Sequence, residues 1–345
     1  MRAHQSPVKI ALIGAGFISN FHLKGLSSIS EATVKIIASR TLSRAVNSAE
    51  RFGIVEATDD VYEVLHRPDI DAVIITTPDD THEDLAISAL NAGKAVLLQK
   101  PMATRSDSCR KIIATAKHCG LDLQVSWMHR YFPEVDAAIK LIREGAIGTP
   151  ITVRLRNATP GPDWNDWFFS KDAVSGGVIH QLGVHGIDLL NYMFGPIEKL
   201  CGRMFTLQNE RRLMDGRIIQ VENPDTALAI YHIKGGLKVT HEMSMIEVAG
   251  TSRFRMEIYG SAGTLWLRTE RGLLATIRAD EKLWTEHTVL DEPFGHRLHQ
   301  AWVDGLIDPA KRLSTAYEGL KSILVAEAIL NSSEKLGAEI QVEQV

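Results

Sequence analysis

The sequence predicts an α/β protein of two domains: a doubly wound parallel sheet over residues 1–126, then a second domain over 127–345 built on an antiparallel or mixed sheet. Three observations carry this. The apolar run Val8–Ile13 ends in the glycine turn Gly14-Ala15-Gly16 and leads into helix-compatible sequence. Strand-like and helix-like segments alternate from there to about residue 126. Beyond it, strand-like runs follow one another, two of them separated by Gly235-Gly236, a hairpin turn signal.

In the first domain the strands are read at Val8–Ile13, Val34–Ser39, Ala72–Thr76, Ala95–Leu98 and Leu121–Ser126. Helix patterns fall between them, for example Thr81–Asn91, closed by Gly93, and Ser106–His118, closed by Gly120. Thr81 and Ser106 are good N-caps, and glycine suits the position after a helix end. In the second domain the strands are read at Ile151–Asn157, Thr226–Ile233, Leu237–Ser244 and Arg253–Tyr259. Ser314–Leu336 reads as a long helix, with Leu320, Ile323, Leu324, Ala328 and Leu330 at core spacing. No internal repeat or low-complexity linker interrupts the chain.

Composition excludes several functions. The chain of 345 residues has 45% hydrophobic residues and a net charge of −4 with both signs dispersed. A nucleic-acid or membrane-surface protein would concentrate positive charge. No apolar run approaches the roughly 20 residues that span a bilayer. Cys109, Cys119 and Cys201 form no metal or disulfide pattern, so a reduced, cytoplasmic protein is expected. His296 and His299 share a helix face, but no third ligand accompanies them, and no metal site is expected.

The strand–turn–helix start points to a dinucleotide. A helix N-terminus offers N–H groups and a positive dipole end to a pyrophosphate. Gly14 permits the tight turn, Gly16 lets backbone approach phosphate, and Phe17 and Ile18 continue the loop; Ser19 replaces the third glycine of the usual pattern. Thr76-Thr77-Pro78 and Gln99-Lys100-Pro101 also follow strands, which places three loops on one ligand-facing edge. The second strand ends in Ser39-Arg40-Thr41, with no acid before Glu50. An acid there would hold the adenosine 2′-OH and repel a 2′-phosphate. Its absence, with hydroxyls on Ser39 and Thr41 and cations on Arg40 and Arg44, favours NADP(H), with NAD(H) the alternative.

Gly176–Leu190 is the second candidate segment. As a helix it sets His185 with Gln181 and with Asp188 on one face, and its four glycines imply close approach of a backbone or a ligand. Trp164 and Trp167, on a Pro/Gly/Asp-rich loop, suit either stacking on a sugar ring or burial against the sheet or a sister subunit.

At these residues the chain resembles the glucose–fructose oxidoreductase / inositol dehydrogenase / MocA (Gfo/Idh/MocA) family of NAD(P)-dependent sugar and polyol oxidoreductases. The matching pieces are IGAGFIS, TTPDDTH, AGKAVLLQKPMA, REGAIGTPITVR, SGGVIHQLGVHGIDLL, IYGSAGTL and YEGLKSILVAEAILNSS, in the family's order. The resemblance implies a Rossmann domain, then a C-terminal α/β domain whose large, mostly antiparallel sheet often forms a homo-oligomer interface, here a dimer or tetramer. It implies a carbohydrate-like substrate. Lys100 matches the family lysine near nicotinamide and substrate, with Gln99 where the family has glutamate. His185 matches the histidine of its aspartate–x3–histidine arrangement, with Gln181 in the aspartate position. Glutamine binds hydroxyls but does not titrate, so His180 is a candidate substitute acid or base, and inositol dehydrogenase activity in particular is in doubt. Thr77, Pro78 and His82 match positions near the cofactor, and Arg130 one that reaches substrate. The implied chemistry has Lys100 polarising the reacting oxygen and His185 relaying the proton. The family also holds non-catalytic dinucleotide-sensing regulators and glycosidases that use tightly held NAD. Cofactor that binds but is never reduced marks the former; cofactor that copurifies without net turnover marks the latter.

Overall fold

The computed structural model describes residues 7–345 apart from 172, 173, 175, 250–252, 271 and 314. The chain forms two compact units. The first comprises Met1–Met128 and Glu292–Leu320; the second comprises His129–Asp291 and Lys321–Val345. The segment 292–320 therefore returns to the first unit, which no local pattern in the sequence announces.

The first unit holds a six-stranded parallel sheet, β1 (Val8–Ile13), β2 (Ala32–Ala38), β3 (Glu56–Thr58), β4 (Ala72–Ile75), β5 (Ala95–Gln99) and β6 (Leu123–Ser126), in the order β3-β2-β1-β4-β5-β6. Strand order reverses between β1 and β4, the switch point at which ligands bind outside the carboxyl ends. Helices α1 (Ser19–Leu26), α2 (Leu42–Phe52), α3 (Val61–His66), α4 (His82–Asn91) and α5 (Ser106–Cys119) connect the strands. β1 and β4 are almost entirely buried, as a parallel sheet covered on both faces requires. Gly53 and Gly120 close α2 and α5 in the left-handed conformation. The N-terminal caps differ from expectation. Ser106 is the first residue of α5 and follows Arg105 at the cap position. Thr81 closes a 3-10 turn, and its hydroxyl donates to the Pro78 carbonyl at 2.7 Å rather than capping α4.

The second unit begins with α6 (Pro133–Arg143) and carries a nine-stranded mixed sheet. Its strands include β7 (Pro150–Ala158) and β8 (Ile197–Phe205), with α7 (Val184–Phe194) between them in sequence. A separate two-stranded ribbon, β9 (Glu210–Arg212) with β10 (Ile218–Gln220), interrupts the series. Next come β11 (Thr226–Ile233), β12 (Lys238–Ser244), β13 (Phe254–Gly260), β14 (Gly263–Arg268), β15 (Leu274–Arg278) and β16 (Thr285–Glu286). In sequence, α8 (His296–Ile307), which belongs to the first unit, and α9 (Ala316–Glu334) precede the edge strand β17 (Ile340–Gln341). The order is β16-β15-β14-β13-β7-β12-β11-β8-β17, antiparallel throughout except for the parallel pair β7–β12. Gly235 and Gly236 turn β11 into β12 with φ of 91° and 99°, which an L side chain rarely adopts. The helix expected from Ser314 begins at Ala316; Ser314 itself lies outside the described residues. β11 alternates cleanly: Ala227, Ala229 and Tyr231 are buried, while Leu228 and Ile230 are exposed.

Within the first unit, α8 packs on α1 through a buried histidine pair, His22 Nδ1 to His299 Nε2 at 2.9 Å, with His299 Nδ1 on the Gly295 carbonyl at 2.6 Å. Gly25 makes this possible, since a Cβ there would lie 2.2 Å from His299 Nδ1. Burial pushes His299 down to about 4 and His22 well below the ordinary histidine value of 6.5. In the second unit burial likewise holds His241 down at about 3. Such a histidine carries fewer protons folded than unfolded. Unfolding therefore takes up protons, and stability declines as pH falls below 6.5, toward about 4 for His299 and about 3 for His241, with no effect above 6.5. Denaturation midpoints should fall between about pH 6.5 and 5, before most carboxylates titrate. The fall should be smaller in His299→Gln; equal slopes in the two proteins would contradict this account.

Candidate active site

The carboxyl edge of the parallel sheet is tied together by side chains. Gly14, at φ 103°, sits so close to β4 that a Cβ would lie 2.7 Å from Thr76 Oγ1 and 2.8 Å from its carbonyl oxygen. Thr76 Oγ1 is 3.0 Å from both the Ile13 and Gly14 carbonyls, joining the end of β4 to the glycine turn. Gly16 differs from Gly14. It is exposed, and a Cβ on it would meet nothing within 4 Å. Ser19 is buried and donates to the Gly16 carbonyl at 2.5 Å, so the residue in the third-glycine position braces the turn. Phe17, 65% exposed, and half-buried Ile18 lead into α1.

His82 links the other two loops. Its ring is fully buried, with Nδ1 2.9 Å from the Pro101 carbonyl and Nε2 3.0 Å from the Thr77 carbonyl. Burial lowers its proton affinity, while the two carbonyls pull the other way. Both ring nitrogens thus serve the loops. His82 thus bridges the Thr77-Pro78 and Lys100-Pro101 loops through its ring. The Thr77 and Thr81 hydroxyl oxygens lie 2.6 Å apart. Gln99, buried at the end of β5, accepts the Lys100 backbone N–H at 2.7 Å through Oε1. It therefore fixes the lysine's backbone, while Lys100 itself is half-buried. After β2, Ser39 donates its N–H to the Thr58 carbonyl at 3.0 Å. Arg40, Thr41 and Arg44 are all exposed.

In the second unit, the segment leading to His185 is not a regular helix. Ile179–Gly183 forms a π-helical turn that passes into α7. Such turns occur frequently at functional sites. The glycines are explained by packing. A Cβ on Gly183 would lie 2.6 Å from Met243 Sδ; on Gly186, 2.7 Å from Leu155 and 2.8 Å from both Asn157 Oδ1 and His241 Cε1; on Gly177, 2.3 Å from the Pro224 carbonyl. α7 is thus pressed onto β7 and β12 rather than held open for a ligand. His180 is fully buried beneath Gly176, whose Cβ would lie 2.6 Å from its ring. Gln181 is half-buried, and His185 is 4% exposed.

Asp188 is buried and takes a bidentate hydrogen bond from Arg130, Nε at 2.8 Å and Nη2 at 2.6 Å. The Arg130 guanidinium also lies over the Tyr192 ring at 4.6 Å. Arg130 is thereby fixed, and Asp188 orients it. His129, its neighbour in sequence, packs its ring 4.4 Å from the His185 ring. Trp167 stacks on Phe168 at 3.8 Å, and Trp164 meets Phe168 edge-on at 5.8 Å. Trp164 stays 47% exposed, so this cluster is not buried under the sheet within the chain.

The comparisons agree with this geometry. Residues 8–127 match the model of the oxidoreductase family with an NAD-binding Rossmann fold, and residues 135–266 match the Gfo/Idh/MocA C-terminal domain. The chain belongs to the Gfo/Idh/MocA family. It is an oxidoreductase of that family by both of its halves. It is similar to scyllo-inositol 2-dehydrogenase (NAD(+)) of Bacillus subtilis, 29% identical over 276 residues, covering 78% of this chain and 76% of that protein. It is also similar to levoglucosan dehydrogenase of Pseudarthrobacter phenanthrenivorans, 25% identical over 350 residues, covering 92% and 89%. A solved levoglucosan dehydrogenase in complex with NADH superposes with a TM-score of 0.88 at 23% identity, over 99% of this chain and 100% of that one, which shows a shared fold.

Of the residues singled out from family motifs, the first unit brings Gly14, Gly16, Thr77, Pro78, Gln99 and Lys100 to one connected edge. The second gathers Arg130, His180, Gln181 and His185 on or beside one helical segment. Sequence reading placed Thr76 in a ligand-facing loop without its bracing role, and missed His129 and the Arg130–Asp188 pair. The signals were faint: a histidine beside an arginine already under suspicion, and an aspartate placed on one helix face with His185. Among the described residues no cluster of metal ligands occurs, and no helix is long and apolar enough to cross a membrane.

Proposed function

We propose that this protein oxidises a CH–OH group of a sugar, polyol or related compound, or reduces the corresponding carbonyl, with a nicotinamide dinucleotide. The observation that carries the reading is the connected carboxyl edge of the parallel sheet, where an exposed Gly16 with open space above it begins the turn into α1. That opening fits a pyrophosphate, which the α1 N-terminus and the Gly14–Ser19 turn would hold. Ser39, Arg40, Thr41 and Arg44 would take the adenosine end, and Thr77 and Pro78 would lie along the cofactor.

When bound, the cofactor supplies hydride acceptance or donation at the nicotinamide. The chain's residues do the rest. The Lys100 ammonium, with its backbone set by Gln99, stabilises negative charge on the substrate oxygen. His185 takes the hydroxyl proton during oxidation and returns it in the reverse direction. Gln181, Arg130 and the Trp164/Trp167 loop are assigned to binding hydroxyls and ring faces, and His180 to supporting the turn. Reduced-nicotinamide absorbance followed over scyllo-inositol, myo-inositol, levoglucosan, glucose and gluconate with each oxidised cofactor tests the reading. Saturable reduction with one of them is expected; cofactor binding with no reduction by any would overturn it.

The second half of this reading is NADP(H) over NAD(H). It is supported by the exposed Arg40 and Arg44 and by the missing acid at the end of β2. Dissociation constants at one salt concentration should favour NADPH, and Arg40→Ala should weaken NADPH by about tenfold while leaving NADH within about twofold. A clear NADH preference would reverse the assignment. A homo-oligomer through the open sheet face is part of the same reading, supported by exposed Leu228, Ile230 and Trp266; light scattering that gives a monomer mass refutes it. A cytoplasmic site of action fits cysteines that form no disulfide among themselves.

A further inference from the structure

We infer that His129 is a positioning residue for His185, its ring forming the wall that sets the orientation of the proton-relaying imidazole. This rests on the reading of His185 given above.

Three observations converge. The two rings lie with centroids 4.4 Å apart at an interplanar angle of 40°, close enough for ring-to-ring contact. His129 is itself immobilised. It is 2% exposed, and its ring lies 5.1 Å from that of Phe132 and 5.0 Å from that of Phe254. The Phe132 N–H donates back to the His129 carbonyl at 3.4 Å, closing the 3-10 turn that precedes α6. Finally, the backbone of His185 is fixed from below. Gly186 leaves no room for a Cβ against Leu155, Asn157 Oδ1 and His241 Cε1. Beneath it runs a buried chain of hydrogen bonds across three strands, Tyr231 OH to His241 Nδ1 at 2.9 Å and His241 Nε2 to Asn157 Oδ1 at 2.8 Å.

The backbone of His185 is therefore held by the sheet, and the His129 ring packs against its imidazole. A terminal imidazole torsion is broad on its own. A ring packed against one face narrows it. A proton relay held in one orientation works faster than one that must find it, because the reacting atoms already stand in line. Phe132 and Phe254 give His129 the rigidity that a wall requires. Arg130, the residue after His129, is bound to Asp188 on the next turn of α7, which ties the two segments together again. On this account the wall acts through its ring shape.

The test compares three variants in the intact protein. His129→Ala and His129→Leu should lower kcat by about tenfold or more with the fastest of the sugars and polyols above. KM and the cofactor dissociation constant should stay within about threefold. His129→Phe keeps a ring and should retain kcat within about threefold. The pH at half-maximal kcat should be unchanged in His129→Phe, since its relay is still His185. Circular dichroism and thermal melting qualify each variant as folded, and the leucine variant stands in should alanine fail to fold. Unchanged kcat in a folded alanine or leucine variant overturns the inference, and so does a phenylalanine variant as impaired as alanine. His185→Asn separates the two layers. If it retains full kcat, the reading of His185 fails; if it is inactive while His129→Leu is unimpaired, only the positioning role fails.

Discussion

Lys100→Ala and His185→Ala should each lose at least about a hundredfold in kcat, about 2.7 kcal/mol of transition-state stabilisation, while still binding cofactor. The two losses have different physical origins. Lys100 follows directly on β5, its N–H held by buried Gln99. A cation anchored so close to a buried strand end loses little entropy when charge develops on the substrate oxygen, and that preorganisation vanishes with the side chain. Because the interaction strengthens as charge builds, kcat falls rather than KM alone. Lys100→Arg should restore little, since a planar fork does not replace a compact ammonium. His185→Ala removes the proton carrier of the proposed reaction at a position whose backbone the sheet fixes, so the fold should survive. His180→Ala should be milder in kcat, because that ring is fully buried beneath Gly176. Steady-state rates and cofactor dissociation constants on the same preparations decide the matter. A His180 variant more damaging than the His185 variant would move the proton role by five residues.

Much of this was legible in local sequence, for physical reasons that can be named. β1 and β11 fall on the predicted residues because each has an unbroken pattern, continuous for a strand buried on both faces and alternating for one with an open face. The Gly235-Gly236 turn was legible because the conformation it needs is closed to other residues. β3 and α3 were not. Glu56–Thr58 is three residues long, with no apolar run and no alternation. The parallel pairing of β7 with β12 joins segments about eighty residues apart, and pairing of that kind leaves no trace in either segment. The return of residues 292–320 to the first unit includes His22 meeting His299, a contact across 277 residues that neither segment announces. At the candidate site, residues at strand ends could be read because the topology puts them on one edge. That His82 braces two loops was not legible, because burial, not sequence position, decides what a histidine ring meets. The glycines of Gly176–Gly186 were ambiguous for the same reason: Gly183 and Gly186 approach the sheet, Gly177 the Pro224 carbonyl and Gly176 the His180 ring.

Gly14 and Gly16, two residues apart, should respond oppositely to substitution. Gly14 has φ of 103° and no room, with Thr76 Oγ1 and the Thr76 carbonyl under 3 Å from the place of a Cβ. Its neighbour Thr76 is buried just past the end of β4 and presents backbone as well as its hydroxyl, so it cannot easily yield. Gly14→Ala should therefore cost several kcal/mol of stability, combining backbone strain with overpacking, before any question of ligand arises. Gly16 lacks both constraints. It does not have positive φ, and a side chain there projects into open space. Gly16→Val should thus fold with a melting temperature within a few degrees of the parent. What it should lose is the cofactor. The same open space is where a pyrophosphate would lie against the N–H groups of the α1 N-terminus, and two added methyl groups occupy it. A loss of at least tenfold in affinity is expected, about 1.4 kcal/mol, for NADPH and NADH alike, because the pyrophosphate is common to both. Calorimetric melting and fluorescence titration of the two variants read the two effects separately. A folded Gly16→Val protein with unchanged affinity for both cofactors would remove this turn from the binding site, and with it the connected edge on which the proposed function stands.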